Sequence, residues 1–205
     1  HLPIMDEDKP VISVTPSISE WTTGNVELHA SATDATTWVR QVSTPERSVS
    51  GFTASFTATA NGDYTFTAED VFGNKSQTTY TVSRIDRQAP TVSFTPRLRE
   101  WSADPIQVKV NINDMQSGID PASIRYSLGF DTNLDATKRT WTAVTASTFD
   151  VPIEGEGEWY LLVQATDRVG NKVTASTDYL RLQKLPEQPV LQAHTLSSEQ
   201  INLSW

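Results

Sequence analysis

The chain of 205 residues carries 25 acidic against 16 basic side chains, a net charge of −9, and no cysteine. That acidity argues against nucleic acid and anionic membranes as partners and suits an extracellular protein, or one that recruits divalent cations. Without cysteine, any sandwich must stand on packing alone rather than on an inter-sheet disulfide; 37% hydrophobic residues and six Trp supply the material.

Short runs rich in Thr, Ser and Val, broken by Gly, Pro, Asn and Asp, predict an all-β protein. Residues 1–7 read as a leader, and the chain as a fragment of a larger protein. Val11 to Thr15 predicts a first strand, ended by Pro16. Val26, Leu28, Ala30 and Ala32 alternate with polar residues, the pattern of a half-buried strand. Phe52, Phe56 and Ala58 mark another. Tyr64, Phe66 and Ala68 form the next, which Ser76 to Ser83 should pair with. Between those two lies Asp70-x-x-Gly73-Asn74, where Gly and Asn accept positive φ and the Asp carboxylate can cap the turn's amides. Tyr64 follows Asn61-Gly62, the place of a tyrosine corner.

The pattern then repeats. Lys9 to Pro16 returns as Ala89 to Pro96, Glu20-Trp21 as Glu100-Trp101 and Asp34 as Asp114, all at an offset of 80. Ala68 to Lys75 returns as Ala165 to Lys172 at an offset of 97, so the second unit holds about 17 extra residues between Asp114 and Asp167. Ile106, Val108, Val110 and Ile112 repeat the alternating strand. Ile124, Tyr126 and Leu128 give a further strand, and Trp159, Leu161, Val163 and Ala165 another. Trp159 stands where Tyr64 stood, so the corner should be lost or altered there. Seven short strands in each unit is the density of an immunoglobulin-like sandwich. The expected domains are 8–86 and 87–184, joined by a short Pro-containing linker, Arg84 to Pro90, that limits flexing.

A Pro-initiated strand, Glu-Trp-[Thr/Ser], and Ala-x-Asp-x-x-Gly-Asn-Lys together resemble the bacterial immunoglobulin-like repeats of large secreted and cell-surface proteins. The resemblance covers about residues 8–183. It implies a stalk, spacer or adhesive module, secreted or surface-attached and monomeric, beside other domains of the same chain and often beside carbohydrate-active ones. Residues 185–205 differ. Pro186, Pro189, Leu191 and Ala193, then Ile201, Leu203 and Trp205, resemble the first two strands of a fibronectin type III domain, with Trp205 its core tryptophan.

Three chemistries are open to these residues. In the immunoglobulin-like topology Asp34 and Asp70 close strands at one end and should lie near Asp6, Glu7 and Asp8; Asp86, Asp114 and Asp167 should repeat the arrangement. Clustered carboxylates with loop carbonyls are the ligands Ca²⁺ takes, so Asp8, Asp34, Asp70, Asp86, Asp114 and Asp167 are candidate calcium ligands. The alternative is that the Asp residues only cap their own turns. Trp21 and Trp101 should pack the core edge, whereas Trp141, in the inserted region, is the candidate platform for a cell-wall or environmental glycan. Catalysis finds no support: His29 faces out of its strand, His1 is terminal, His194 lies in the tail, and the three form no nucleophile–base–orienter set. Lys109 also faces out, which argues against a Lys–Asn isopeptide staple.

Overall fold

A computed structural model describes residues 6–97, 100–130 and 139–183, with the backbone alone of 192–197 and 200–204. The first unit is built from β1 (Val11–Pro16), β2 (Val26–Thr33), β3 (Val39–Ser43), β4 (Ser48–Ser50), β5 (Thr53–Ala58), β6 (Gly62–Asp70) and β7 (Lys75–Val82). Strict alternation in β2 buries Val26, Leu28, Ala30 and Ala32 and exposes the residues between them, because successive side chains on a pleated strand point to opposite faces. Two antiparallel sheets result, ordered β1-β2-β5 and β4-β3-β6-β7. The buried face of β2 meets Val42, Phe66 and Ala68 of the second sheet to form the core. The fourth strand pairs with β3 in the second sheet rather than with β5, so this is a switched-strand form of the immunoglobulin-like sandwich. Pro16 still aligns with Leu28, so β1 runs one residue past its expected end.

The second unit follows the same order. β8 (Thr91–Thr95), β10 (Ile106–Asn113) and β13 (Thr148–Ile153) make one sheet. β11 (Arg125–Gly129), β14 (Gly157–Thr166) and β15 (Lys172–Ser176), with the two-residue β9 (Trp101–Ser102) and β12 (Thr142–Ala143) and β16 (Leu180–Leu182), make the other. The last strand is split here. β15 pairs with the C-terminal half of β14 and β16 with its N-terminal half. Thr177 bridges the break by exchanging backbone and hydroxyl hydrogen bonds with Leu161 at 3.0 Å.

The Glu-Trp-[Thr/Ser] motif marks the chain's crossing from one sheet edge to the other. Ser102 pairs in parallel with Leu182, and Thr22 bridges Ile85 in the same sense. The corner is likewise conserved in geometry while its residue changes. Tyr64 Oη donates to the Ala60 carbonyl at 2.7 Å, and Trp159 Nε1 donates to the Gly155 carbonyl at 2.7 Å, four residues back in both cases. The expectation that this corner is altered is met in the residue and not in the bond. Beyond the second sandwich, β17 (Gln192–Ser197) and β18 (Gln200–Ser204) form an antiparallel pair; residues 1–5, the 186–189 prolines and Trp205 lie outside the described residues.

No α-helix occurs among the described residues, and no helix is long and apolar enough to cross a membrane. The two cores differ in bulk. Ala30 and Ala32 of the first occupy the places of Val110 and Ile112 in the second, so the first sandwich buries less hydrocarbon per strand. Two outcomes are expected in urea. The first sandwich unfolds at the lower concentration, and Phe66→Ala, which empties a site of zero exposure, lowers that transition further by about 3–5 kcal/mol. Tryptophan fluorescence reads both; an unchanged midpoint in the variant would contradict this packing.

Candidate metal centres

The linker sets the geometry of one end of the second sandwich. Ile85 is buried in the first core, and the Asn61 amide clamps it, donating to the Ile85 carbonyl and accepting its N–H, both at 2.8 Å. The Asp86 N–H donates to the Thr22 carbonyl at 2.9 Å. Arg87 donates to the carbonyls of Thr23 and Thr59 at 2.8 and 2.7 Å. The linker backbone thus belongs to the first sandwich. The Asp86 side chain turns the other way: Oδ2 accepts the Ser117 N–H at 3.1 Å, and its carbonyl accepts Asn171 Nδ2 at 3.2 Å. This residue has no exposed surface.

Two loops of the second sandwich close on it. In the Asp114 loop, Oδ1 accepts the N–H groups of Gln116 and Gly118 at 3.0 and 2.7 Å. In the turn after β14, Asp167 Oδ1 accepts those of Val169 and Asn171 at 2.9 and 2.8 Å, while Gly170 supplies the positive φ of 95°. Backbone bonds zip loop and turn together, Arg168 N–H to the Gly118 carbonyl at 2.9 Å and Asp120 N–H to the Thr166 carbonyl at 3.0 Å. Carboxylate oxygens of Asp86, Asp114 and Asp167 consequently lie within 4.8 Å of one another.

The first sandwich repeats this with Asp6, Asp34 and Asp70, again within 4.8 Å. Asp34 Oδ1 accepts the N–H groups of Thr36 and Thr37 at 3.0 and 2.7 Å, and Asp70 Oδ1 those of Phe72 and Asn74, both at 2.8 Å. The turn-capping role and the clustering are therefore properties of the same residues. One carboxylate oxygen caps the turn; in Asp70 and Asp167 the other accepts the Asn74 or Asn171 side-chain amide, at 2.8 and 2.6 Å. No described ion pair involves a member of either triad. Hydrogen-bond donors, N–H and hydroxyl, favour the charged carboxylates instead. Donation from Thr37 and Thr36 holds the Asp34 carboxyl below its ordinary value. Burial pushes Asp70 and Asp86 up, but hydrogen bonds, from Asn74 for the one and from Ser117 and Gln88 for the other, outweigh it and leave both below the ordinary value.

Asp8 lies outside the triad in which it was expected. Its Oδ2 accepts the Thr36 hydroxyl at 2.6 Å on the rim, and Asp6 stands in the cluster. The offset of 80 that relates Asp34 to Asp114 also relates Asp6 to Asp86, and was the signal that separates the two. Asp120 caps the short 3-10 turn Pro121–Ser123 through the Ala122 N–H at 3.0 Å. Trp141 holds the Arg125 guanidinium 4.7 Å from its ring centroid, and Arg125 in turn grips Gln164 Oε1 at 2.6 Å, so one face of this indole is covered. Trp21 is half-buried, as expected for an edge residue, but Trp101 is 51% exposed, with Arg181 over its ring at 5.8 Å. Trp38 is 72% exposed.

One histidine does find partners that sequence reading missed. His29 Nδ1 lies 3.0 Å from Ser55 Oγ, its cross-strand partner, and Nε2 lies 3.8 Å from Glu27. The order of residues is that of a hydrolase, but the geometry is not. The His–Glu separation exceeds a hydrogen bond, and both side chains are half exposed on a flat sheet face, where nothing excludes water.

No family model matches the chain, and no curated protein does. Among solved structures it is similar to the fibronectin(III)-like modules of CbhA from Clostridium thermocellum, at 13% identity over 88% of this chain and 99% of that one, with a TM-score of 0.34. It is also similar to a beta-glycosidase from Bacteroides vulgatus, at 13% identity over 83% of this chain and 25% of that one, with a TM-score of 0.23. Similarity at this level identifies no family.

The depressed carboxyls give a pH dependence of definite sign. Their contribution to stability is present above the ordinary value of 3.8 and is lost as the pH falls through the lower folded values. The thermal midpoint should therefore drop on acidification below that value. Asp34→Asn, which retains the capping oxygen and cannot titrate, should drop less steeply. Equal slopes for the two proteins would contradict the assignment.

Proposed function

We propose that this chain is a non-catalytic structural and interaction segment, a spacer or adhesive stalk in a bacterial extracellular multidomain protein, acting as a monomer beside neighbouring domains. The observation that carries the reading is the fastening of Asp86, whose backbone bonds to the first sandwich and whose side chain and carbonyl bond to the second. A flexible tether has no use for such a residue. A spacer that holds other domains at a fixed reach does, because a stiff linker keeps its ends apart where a coil would collapse. Small-angle scattering tests it: the 205-residue chain should give a narrow distribution of maximum dimensions, broadened by Asp86→Ala. A broad distribution already in the unmodified chain would sink the reading.

A second reading is favoured by the exposed aromatics. Trp101, with Arg181 and Tyr179 beside it, forms an open ring-and-cation surface on the second sandwich, the kind that takes the apolar face of a sugar. On this reading the chain is an accessory, glycan-binding module of a secreted carbohydrate-active enzyme. Titration against a glycan panel separates the two. Saturable binding lost in Trp101→Ala, and kept in Trp141→Ala, supports the accessory role; no binding by the unmodified chain removes it.

A further inference from the structure

We propose that the free edge of β5 pairs with β5 of a second copy of this chain, antiparallel and two-fold about Ser55, so that two first sandwiches share one continuous sheet. Pairing of this kind goes beyond the spacer reading and does not depend on it: a dilute chain stays single, and association sets in where copies are crowded together.

The register shows which backbone groups face outward. The Ala32 N–H donates to the Phe52 carbonyl at 2.8 Å, and the ladder of β2 against β5 continues that pair as Ala30 with Ala54, Leu28 with Phe56 and Val26 with Ala58. Alternate residues of an antiparallel strand bond to its neighbour, so these four of the β5 segment bond toward β2. Thr53, Ser55 and Thr57 turn their N–H and C=O groups the other way, and β5 is the last strand of its sheet. In the second sandwich the Ile112 N–H donates to the Ser147 carbonyl at 2.8 Å, which by the same alternation turns Thr148, Asp150 and Pro152 outward on β13. At the far edge of the first sheet, the Ser17 N–H on the Glu27 carbonyl at 2.7 Å puts Pro16 outward on β1. Proline offers no N–H and a charge resists pairing, two means by which sheet edges are closed. Ser55 and Thr57 stand in the places of Asp150 and Pro152, and Thr53–Ala58 holds neither a charge nor a proline.

What fits this edge is its own copy. The outward residues read Thr, Ser, Thr in either direction. Antiparallel pairing centred on Ser55 sets Thr53 opposite Thr57 of the second copy, so every outward N–H and C=O meets a partner, and hydroxyls face hydroxyls on the solvent side. The inner face alternates in size. Ala54 stands opposite Phe56 of the second copy, and the same register sets Phe52 opposite its Ala58. Phe52 is 64% exposed, and Phe56 is half-buried with its ring centroid 5.1 Å from that of Tyr64. Large therefore meets small at each position, and apolar surface now in water is covered. Charge separates the two sandwiches. Self-pairing of β5 brings no like charges together, whereas the same pairing of β13 sets Asp150 against its own copy. The strand is short and the bonds are few, so the association is weak; copies held side by side supply the concentration that single chains lack.

The test is sedimentation velocity of the complete chain from about 0.02 to about 1 mM, with amide hydrogen exchange at both ends of that range. The average mass should climb toward twice that of one chain. The amides of Thr53, Ser55 and Thr57 should exchange several-fold more slowly at the upper concentration, and those of Thr148 and Asp150 should not change. Ser55→Asp and Thr57→Pro, which copy the second sandwich's own residues, should each abolish the rise in mass. Both positions bond outward, so neither change removes a bond to β2, and circular dichroism checks that the fold is kept. A mass constant across the range would overturn the inference and leave the edge to a strand of some other protein. Association that survives both variants, or that protects amides away from β5, would overturn it as well. Should both variants fail to fold, exchange in the unmodified chain decides.

Discussion

Everything at the joint depends on one buried carboxylate. Asp86 has no exposed surface, and burying a charge is costly unless hydrogen bonds replace its water. The carboxylate accepts the Gln88 N–H of the linker and the Ser117 N–H of the second sandwich, while the residue's own N–H is held by the Thr22 carbonyl of the first. The residue can be satisfied only when both sandwiches are in place. Its desolvation is thereby converted into orientation: moving one sandwich against the other would take away the Ser117 donor and leave a dry anion with the Gln88 N–H alone.

The two sandwiches differ in ways that follow from this division. The first carries the linker clamp, Asn61 on Ile85 and Arg87 on the loop carbonyls, and has the smaller core residues. The second has the bulkier core, a split final strand and an inserted region whose Trp141 covers Arg125 on the outer sheet face. Both keep the same two turns at the same end, because Asp-x-x-Gly-Asn closes the turn with its own carboxylate and turns its Asn amide toward the preceding segment. Asn74 reaches the Asp6 carbonyl at 2.9 Å, as Asn171 reaches that of Asp86.

Much of this was legible in the residues. Period-two alternation placed β2, β10 and β14, and the two offsets placed Asp34, Asp70, Asp114 and Asp167 at one end of their sandwiches. What was not legible is instructive. Three consecutive acids, Asp6, Glu7 and Asp8, left the first cluster's third member ambiguous, since only the chain's direction there decides which carboxylate points inward. Trp159 reads as a lost tyrosine corner, yet an indole N–H can donate to a carbonyl four residues back just as a phenol can. The placing of Arg181 over Trp101 depends on the parallel pairing of β16 with β9, and the His29–Ser55 contact on the register of β2 against β5, which no local pattern encodes.

Whether Asp86 makes the two sandwiches one oriented body is read from residual dipolar couplings of the backbone amides of both. A single alignment tensor fitting the two sandwiches together, and splitting into two of unequal magnitude in Asp86→Ala, is the predicted result. Two unequal tensors in the unmodified chain, with each sandwich intact, would contradict it.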